Sequence, residues 1–163
     1  MSPEEKFAHH YKEMLKLCKE QAWGDPFSYA RAKEIYAANV LGHRVASTFS
    51  GADAFDEEGN PCEYKSTTQD RPQGAYTGVS VQSTWKEQEE YLEKKKIKPY
   101  SHFYNRFDNS GLVESWNVLG DIVHDILLPK FKKNYPTVLE KKDPRLSANM
   151  NWTEIQKYGV KVI

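Results

Sequence analysis

The stretch Gly51-Ala52-Asp53-Ala54-Phe55-Asp56-Glu57-Glu58-Gly59-Asn60-Pro61-Cys62-Glu63-Tyr64-Lys65-Ser66 constrains this chain more than any other. Residues 43–49 lead towards it with Val45, Ser47 and Phe49 on alternating positions, the period of an extended strand. The acidic run 56–58 ends at Gly59, which takes positive φ at no steric cost, and residues 61–68 then run back as a second strand. Side chains alternate faces along a strand, so Glu63 and Lys65 project from one side while Tyr64 points into the opposite layer. A hairpin return can bring Asp53 alongside them.

Around this hairpin the periodicity changes. Phe7, Tyr11, Met14, Leu15 and Cys18 fall at spacings of three and four, which predicts an amphipathic helix over 3–22 that packs on one face. A second helix is punctuated by Asp25 as cap, Pro26 in the first turn, an Ile35, Tyr36, Val40 and Leu41 stripe, and Gly42 as stop. After the hairpin, a short strand is predicted at 77–82 and a charged helix over 84–96, closed by Pro99. Residues 100–107 and 112–118 flank Asp108-Asn109-Ser110-Gly111 as a second hairpin. A helix over 121–128 should end before Pro129, a last helix runs 151–158 from Asn151 to Gly159, and a strand 160–163 follows. Neither repeats nor low-complexity tracts interrupt this order. It predicts an α/β (α+β) architecture, a central mixed β-sheet flanked by helices.

A chain of 163 residues can bury one core, and no linker or composition shift divides it, so residues 1–163 read as a single domain. The 23 Lys plus Arg balance 23 Asp plus Glu, so net charge does not point to a nucleic-acid partner. The charge is uneven, however: acidic over 53–63, basic over 94–98 and 130–142. The start is acidic and no apolar run approaches membrane-span length, which reads as a cytoplasmic protein with no membrane partner. Cys18 and Cys62 lack a metal-binding Cys/His pattern around them and read as reduced structural thiols.

Asp53, Glu63 and Lys65 carry the chemistry. Magnesium takes oxygen ligands, keeps several waters and is held by one or two carboxylates together with substrate phosphates, which suits Asp53 and Glu63. A metal-bound water is a better nucleophile, and the metal offsets charge developing on a phosphoryl group. Lys65 would orient or help deprotonate that water if burial or nearby cations depress its pKa, and otherwise stabilise charge; both roles stay open. An isolated Glu-x-Lys on a surface hairpin would usually be incidental.

The whole segment 51–66, with Gly-x-Asp-Ala-x-Asp, the turn glycine and Glu-x-Lys-Ser, resembles the PD-(D/E)xK nuclease superfamily, and within it the type II restriction endonucleases. Residues 158–163 resemble the ending of such an enzyme; the stretch between cannot be aligned. The resemblance implies a restriction-endonuclease-like fold and a homodimer. It also implies Asp53 and Glu63 as magnesium ligands and Lys65 as the catalytic lysine. It departs from the family pattern at Ala52, where a proline usually precedes the aspartate.

Further candidates are weaker. The superfamily often places an accessory acid on a helix before the hairpin, so Glu34 is a candidate metal residue and equally a solvated helix carboxylate. Asp56 fits a turn-stabilising or solvated role better than a catalytic one. Gln69, Arg71, Gln73, Gln82, Ser83 and Lys86 follow the active strand and can read base edges, Gln suiting adenine and Arg guanine; singly, each is an ordinary polar loop residue. Arg145 and Asn149 can reach phosphates or a groove, while capping alone explains Asn151. Adjacent His9 and His10 diverge on a helix, and His102 and His124 read as hydrogen-bonded structural histidines.

The primary expectation is a Mg2+-dependent, sequence-specific double-stranded DNA endonuclease of type II restriction character, whose dimer places one centre on each strand of a palindromic site. The same centre serves junction-resolving, repair or phage homing endonucleases. Outside that class stand a non-catalytic DNA-binding module and a protein that binds no nucleic acid.

Overall fold

The computed structural model describes residues 1–48 and 51–163, so Phe49, the last residue of the predicted 43–49 strand, and Ser50 after it lie outside the described residues. The fold is α+β, as predicted, and the chain divides into two compact units, Met1–Gly59 and Asn60–Ile163.

In the first unit, helix α1 (Pro3–Glu20) opens with a capping box: the Glu5 amide donates to Ser2 Oγ at 3.2 Å and the Ser2 amide to the Glu5 carboxylate at 2.6 Å. Of the predicted stripe only Cys18 is buried; Phe7, Tyr11, Met14 and Leu15 are exposed, although Tyr11 stacks on Phe27 at 4.3 Å. Helix α2 (Arg31–Leu41) ends at Gly42 in the left-handed region, as predicted, but begins later. Asp25 does not cap it. Its carboxylate instead accepts from the Phe27 amide at 2.9 Å and the Ser28 hydroxyl at 3.0 Å, closing a turn that competes with helix. The strands β1 (Arg44–Val45) and β2 (Ala54–Phe55) pair antiparallel, Arg44 opposite Phe55, and the turn after them closes through the Gly59 amide on the Asp56 carbonyl, with Gly59 at φ +84°.

In the second unit β3 (Pro61–Thr67) runs parallel to β5 (Ser101–Asp108), which pairs antiparallel with β6 (Gly111–Val118), itself edged by the short β8 (Val160–Lys161). Parallel neighbours need a crossover. Here β4 (Gly74–Ser80), α3 (Trp85–Tyr91) and its π-helical continuation Leu92–Lys96 supply it. Strand β4 pairs with β7 (Arg145–Met150) as a separate ribbon, and α5 (Trp152–Tyr158) follows behind its Asn151 cap.

Helix α4 (Gly120–Leu139) corrects the sequence reading, since it continues through Pro129 and Pro136. An internal proline costs about 3 kcal/mol. Val123, Leu127, Phe131, Tyr135 and Val138 are buried at spacings of three and four along it, and each such side chain recovers roughly 1.5–3 kcal/mol on burial. They join Leu92, Ile97, Tyr104, Leu146, Met150 and Ile155 in one core.

Candidate active site

Asp53 belongs to the first unit, Glu63 and Lys65 to the second. In the first unit, Arg31 is buried at 8% exposure and uses its guanidinium as a hub. It donates to the Trp23 carbonyl at 2.6 Å, the Glu34 carboxylate at 3.1 Å and the Ala46 carbonyl at 2.5 Å. The Ala46 amide in turn donates to the Asp53 carbonyl at 3.0 Å. One buried cation thus ties the loop, the helix and the backbone of Asp53 together. Asp25, Glu34 and Asp53 line a single cleft of about 330 Å³, so the two predicted acids Glu34 and Asp53 do share a surface. Glu34 is committed to Arg31, which makes it an electrostatic counterweight to that cation.

In the second unit, Glu63 and Lys65 share one face of β3, as strand alternation requires. Lys65 Nζ donates to Glu63 Oε1 at 2.7 Å, the side chains being 22% and 12% exposed. Register pairs Glu63 with His102 and Lys65 with Tyr104 on the same face of β5. Lys65 also opens onto a second cleft of about 450 Å³, lined by Ser66, Gln73, Asn149 and Asn151 among others. Three predicted residues from separate stretches, Lys65, Gln73 and Asn149, therefore meet there. Lys130 ties two of its lining residues together: Nζ donates to the Asn149 carbonyl at 2.7 Å and to both Glu154 oxygens at 2.6 and 2.8 Å, while Glu154 also accepts from the Asn151 amide at 2.9 Å.

The remaining predicted readers are not among the residues that line this cleft. The Gln69 amide donates to Thr67 Oγ1, and Arg71, Ser83 and Lys86 are exposed. Gln82 is held at the start of α3, its amide donating to Gln88 Oε1 and its carbonyl accepting from the Tyr135 hydroxyl. Arg145 pairs with Asp143 at 3.3 Å. Sequence reasoning missed Tyr76, Tyr104 and Lys130. His102 is the structural histidine it was read to be, with burial lowering its pKa to about 4.

Among the described residues no group of three or more His, Cys, Asp or Glu is placed to hold a metal ion. Magnesium does not need one, because water and phosphate oxygens complete its shell. The donor chemistry fits: Asp53 and Glu63 offer only oxygen, and Glu63 is partly exposed with one oxygen on Lys65. The thiol of Cys62 is buried on the opposite face of β3. No helix among the described residues is long and apolar enough to cross a membrane. In comparison with known proteins, no family model and no curated protein matches the chain.

Proposed function

We propose that this chain is a Mg2+-dependent, sequence-specific endonuclease of duplex DNA, of the type II restriction class within the PD-(D/E)xK superfamily, working in the cytoplasm as a homodimer. The observation that carries the reading is the partly buried Glu63–Lys65 pair on one strand face, whose lysine lines a cleft together with Gln73 and Asn149. The superfamily resemblance assigns the ion to Asp53 and Glu63; Glu34, whose carboxylate is taken by Arg31, would act on it only through the charge balance of the first unit. When bound, the ion supplies Lewis-acid stabilisation of the phosphoryl oxygens and a more acidic water.

The reaction joins a water oxygen to phosphorus, breaks one P–O ester bond, and returns a proton to the departing oxygen. Lys65 brings positive charge to the strand face where negative charge develops on the phosphate, and Glu63 keeps that ammonium in place. Gln73 and Asn149 offer amides of the kind that pair with adenine in the major groove. Gln69, Arg71, Gln82, Ser83, Lys86 and Arg145 belong to the outer contact surface in this reading.

Purified protein is incubated with plasmid and phage DNA in Mg2+ or EDTA, beside Lys65→Ala, and fragment ends are sequenced. The reading expects discrete fragments that vanish in EDTA and form on the order of a hundredfold more slowly in the variant. Cleavage of branched DNA alone would turn the assignment to junction resolution. Salt-sensitive binding without any cleavage would leave a DNA-binding module, and cutting undiminished in Lys65→Ala would remove the site assignment.

A further inference from the structure

Behind Lys65 lies a buried hydrogen-bond chain that the cleavage chemistry does not itself use. The Ile97 carbonyl can only accept, so His102 Nε2, at 2.8 Å, carries the ring proton. A neutral ring protonated there leaves Nδ1 as an acceptor, and the Tyr76 hydroxyl, 2.8 Å away, donates to it. The Tyr76 oxygen then accepts from the Tyr104 hydroxyl at 2.7 Å. One carbonyl thereby fixes every proton in the chain. Burial holds the groups in these forms, depressing the imidazole and raising both phenols above their usual range.

A buried polar chain is tolerated only when each member is satisfied, and a satisfied chain locks the rings it joins. What this one locks is the plane of Tyr76. Lys65 Nζ sits 4.7 Å from the centroid of that ring while bonded to Glu63. Two residues earlier on β4, Gly74 leaves room for the lysine stem: a Cβ there would strike the Tyr104 ring and approach Lys65 Cγ to 3.2 Å. Strand β4 therefore offers a slot for the stem and an aromatic face for the head, both on one side.

We propose that Tyr76 is the positioning residue of Lys65: its ring, oriented through Tyr104 and His102, seats the ammonium beside Glu63 and so sets where that charge meets a substrate phosphate. This deepens the nuclease reading and rests on it. Without the seat, a flexible four-carbon side chain would divide its time among rotamers, and the charge would meet the phosphate only part of the time.

The test pairs a spectroscopic readout with a kinetic one. A proton on the face of an aromatic ring is shielded, so the Lys65 ε-methylene signal, identified by its absence in Lys65→Arg, lies upfield of the other lysines in the wild-type protein. It moves to the ordinary position in Tyr76→Leu and only part of the way in Tyr76→Phe, which keeps the ring but loses both hydrogen bonds that orient it. Single-turnover cleavage in Mg2+ falls about five- to thirtyfold in Tyr76→Leu, the range of a partly desolvated cation–π contact, with metal-free DNA affinity unchanged. Tyr104→Phe leaves the seat's ring and its bond to His102 in place but removes the second of its two hydrogen bonds, and gives a smaller loss. An unshielded Lys65 signal in the wild type, or one that Tyr76→Leu leaves unmoved, overturns the proposal. If Tyr76→Leu does not fold, the wild-type signal and Tyr104→Phe still decide. A wild-type protein that cuts no DNA overturns the nuclease reading separately, since the shielding does not depend on activity.

Discussion

His102 stabilises the second unit only while it is neutral. Its ring is fully buried, and desolvation outweighs the opposing pull of the Ile97 carbonyl and Glu63, lowering the pKa from 6.5 to about 4. The folded value lies below the unfolded one, so on acidification the unfolded chain takes up the proton first. The contribution is therefore whole above about pH 6.5 and is lost as pH falls towards about 4. At pH 4.5 the loss amounts to about 2.5 kcal/mol, a large part of the 5–15 kcal/mol that holds an ordinary domain together. Carboxylates begin to titrate in the same window, so the measurement is a difference against His102→Gln, whose uncharged amide can still donate to the Ile97 carbonyl. Urea unfolding at pH 7.5 and 4.5 should find the variant less stable at neutral pH yet losing about 2.5 kcal/mol less on acidification. Equal losses in the two proteins would refute the linkage, and with it the assignment of a neutral, Nε2-protonated ring.

Two further outcomes follow from the same unit. Gly74→Ala drives a methyl group into the Tyr104 ring and should lower stability by roughly 2 kcal/mol, read as a shift in the urea midpoint, while displacing the Lys65 signal that Tyr76 shields. Lys130→Met releases the Asn149 carbonyl and Glu154; these groups are partly solvated, so stability should fall by only about 1 kcal/mol. On the proposed nuclease reading its larger effect should be on the cleft wall, seen as weaker discrimination between cognate and single-mismatch duplexes.

The parts of the fold legible in the sequence are those governed by local rules. Gly42 and Gly59 terminate where left-handed backbone is needed, Asn151 caps because it accepts from the amide three residues on, and β3 alternates as its pattern demands. The errors arise where a nonlocal term outweighs a local one. Pro129 reads as a stop, but α4 runs past it because Phe131, Tyr135 and Val138 have a core to enter. Strand β7 was hidden because its exposed positions, Arg145, Ser147 and Asn149, look like loop, although Leu146, Ala148 and Met150 alternate beneath them. Asp25 looks like a helix cap and is one chemically, but its acceptors are claimed by Phe27 and Ser28 before the helix begins.

The site was half legible for a related reason. A motif names the residues that do chemistry, and strand parity places Glu63 beside Lys65 without any knowledge of the fold. What lies under Lys65 comes from β4 and β5, whose register against β3 no short-range pattern encodes: Tyr76 falls just before the strand predicted at 77–82, and Tyr104 is one aromatic among several in the strand predicted at 100–107. Net neutrality is uninformative for the same reason. Lys130 is bound to Glu154, Arg145 to Asp143, Arg106 to Glu114 and Lys98 to Glu93, so many of the cations counted in the composition are held by acids of the same unit. A balance of charges then says how the second unit is cross-linked rather than what it binds. The informative quantity is local: which cation keeps a partly exposed face on a cleft, and which buried groups hold it there. By that measure Lys65, paired with a single partly exposed carboxylate and seated on an oriented ring, stands apart from the other cations of its unit.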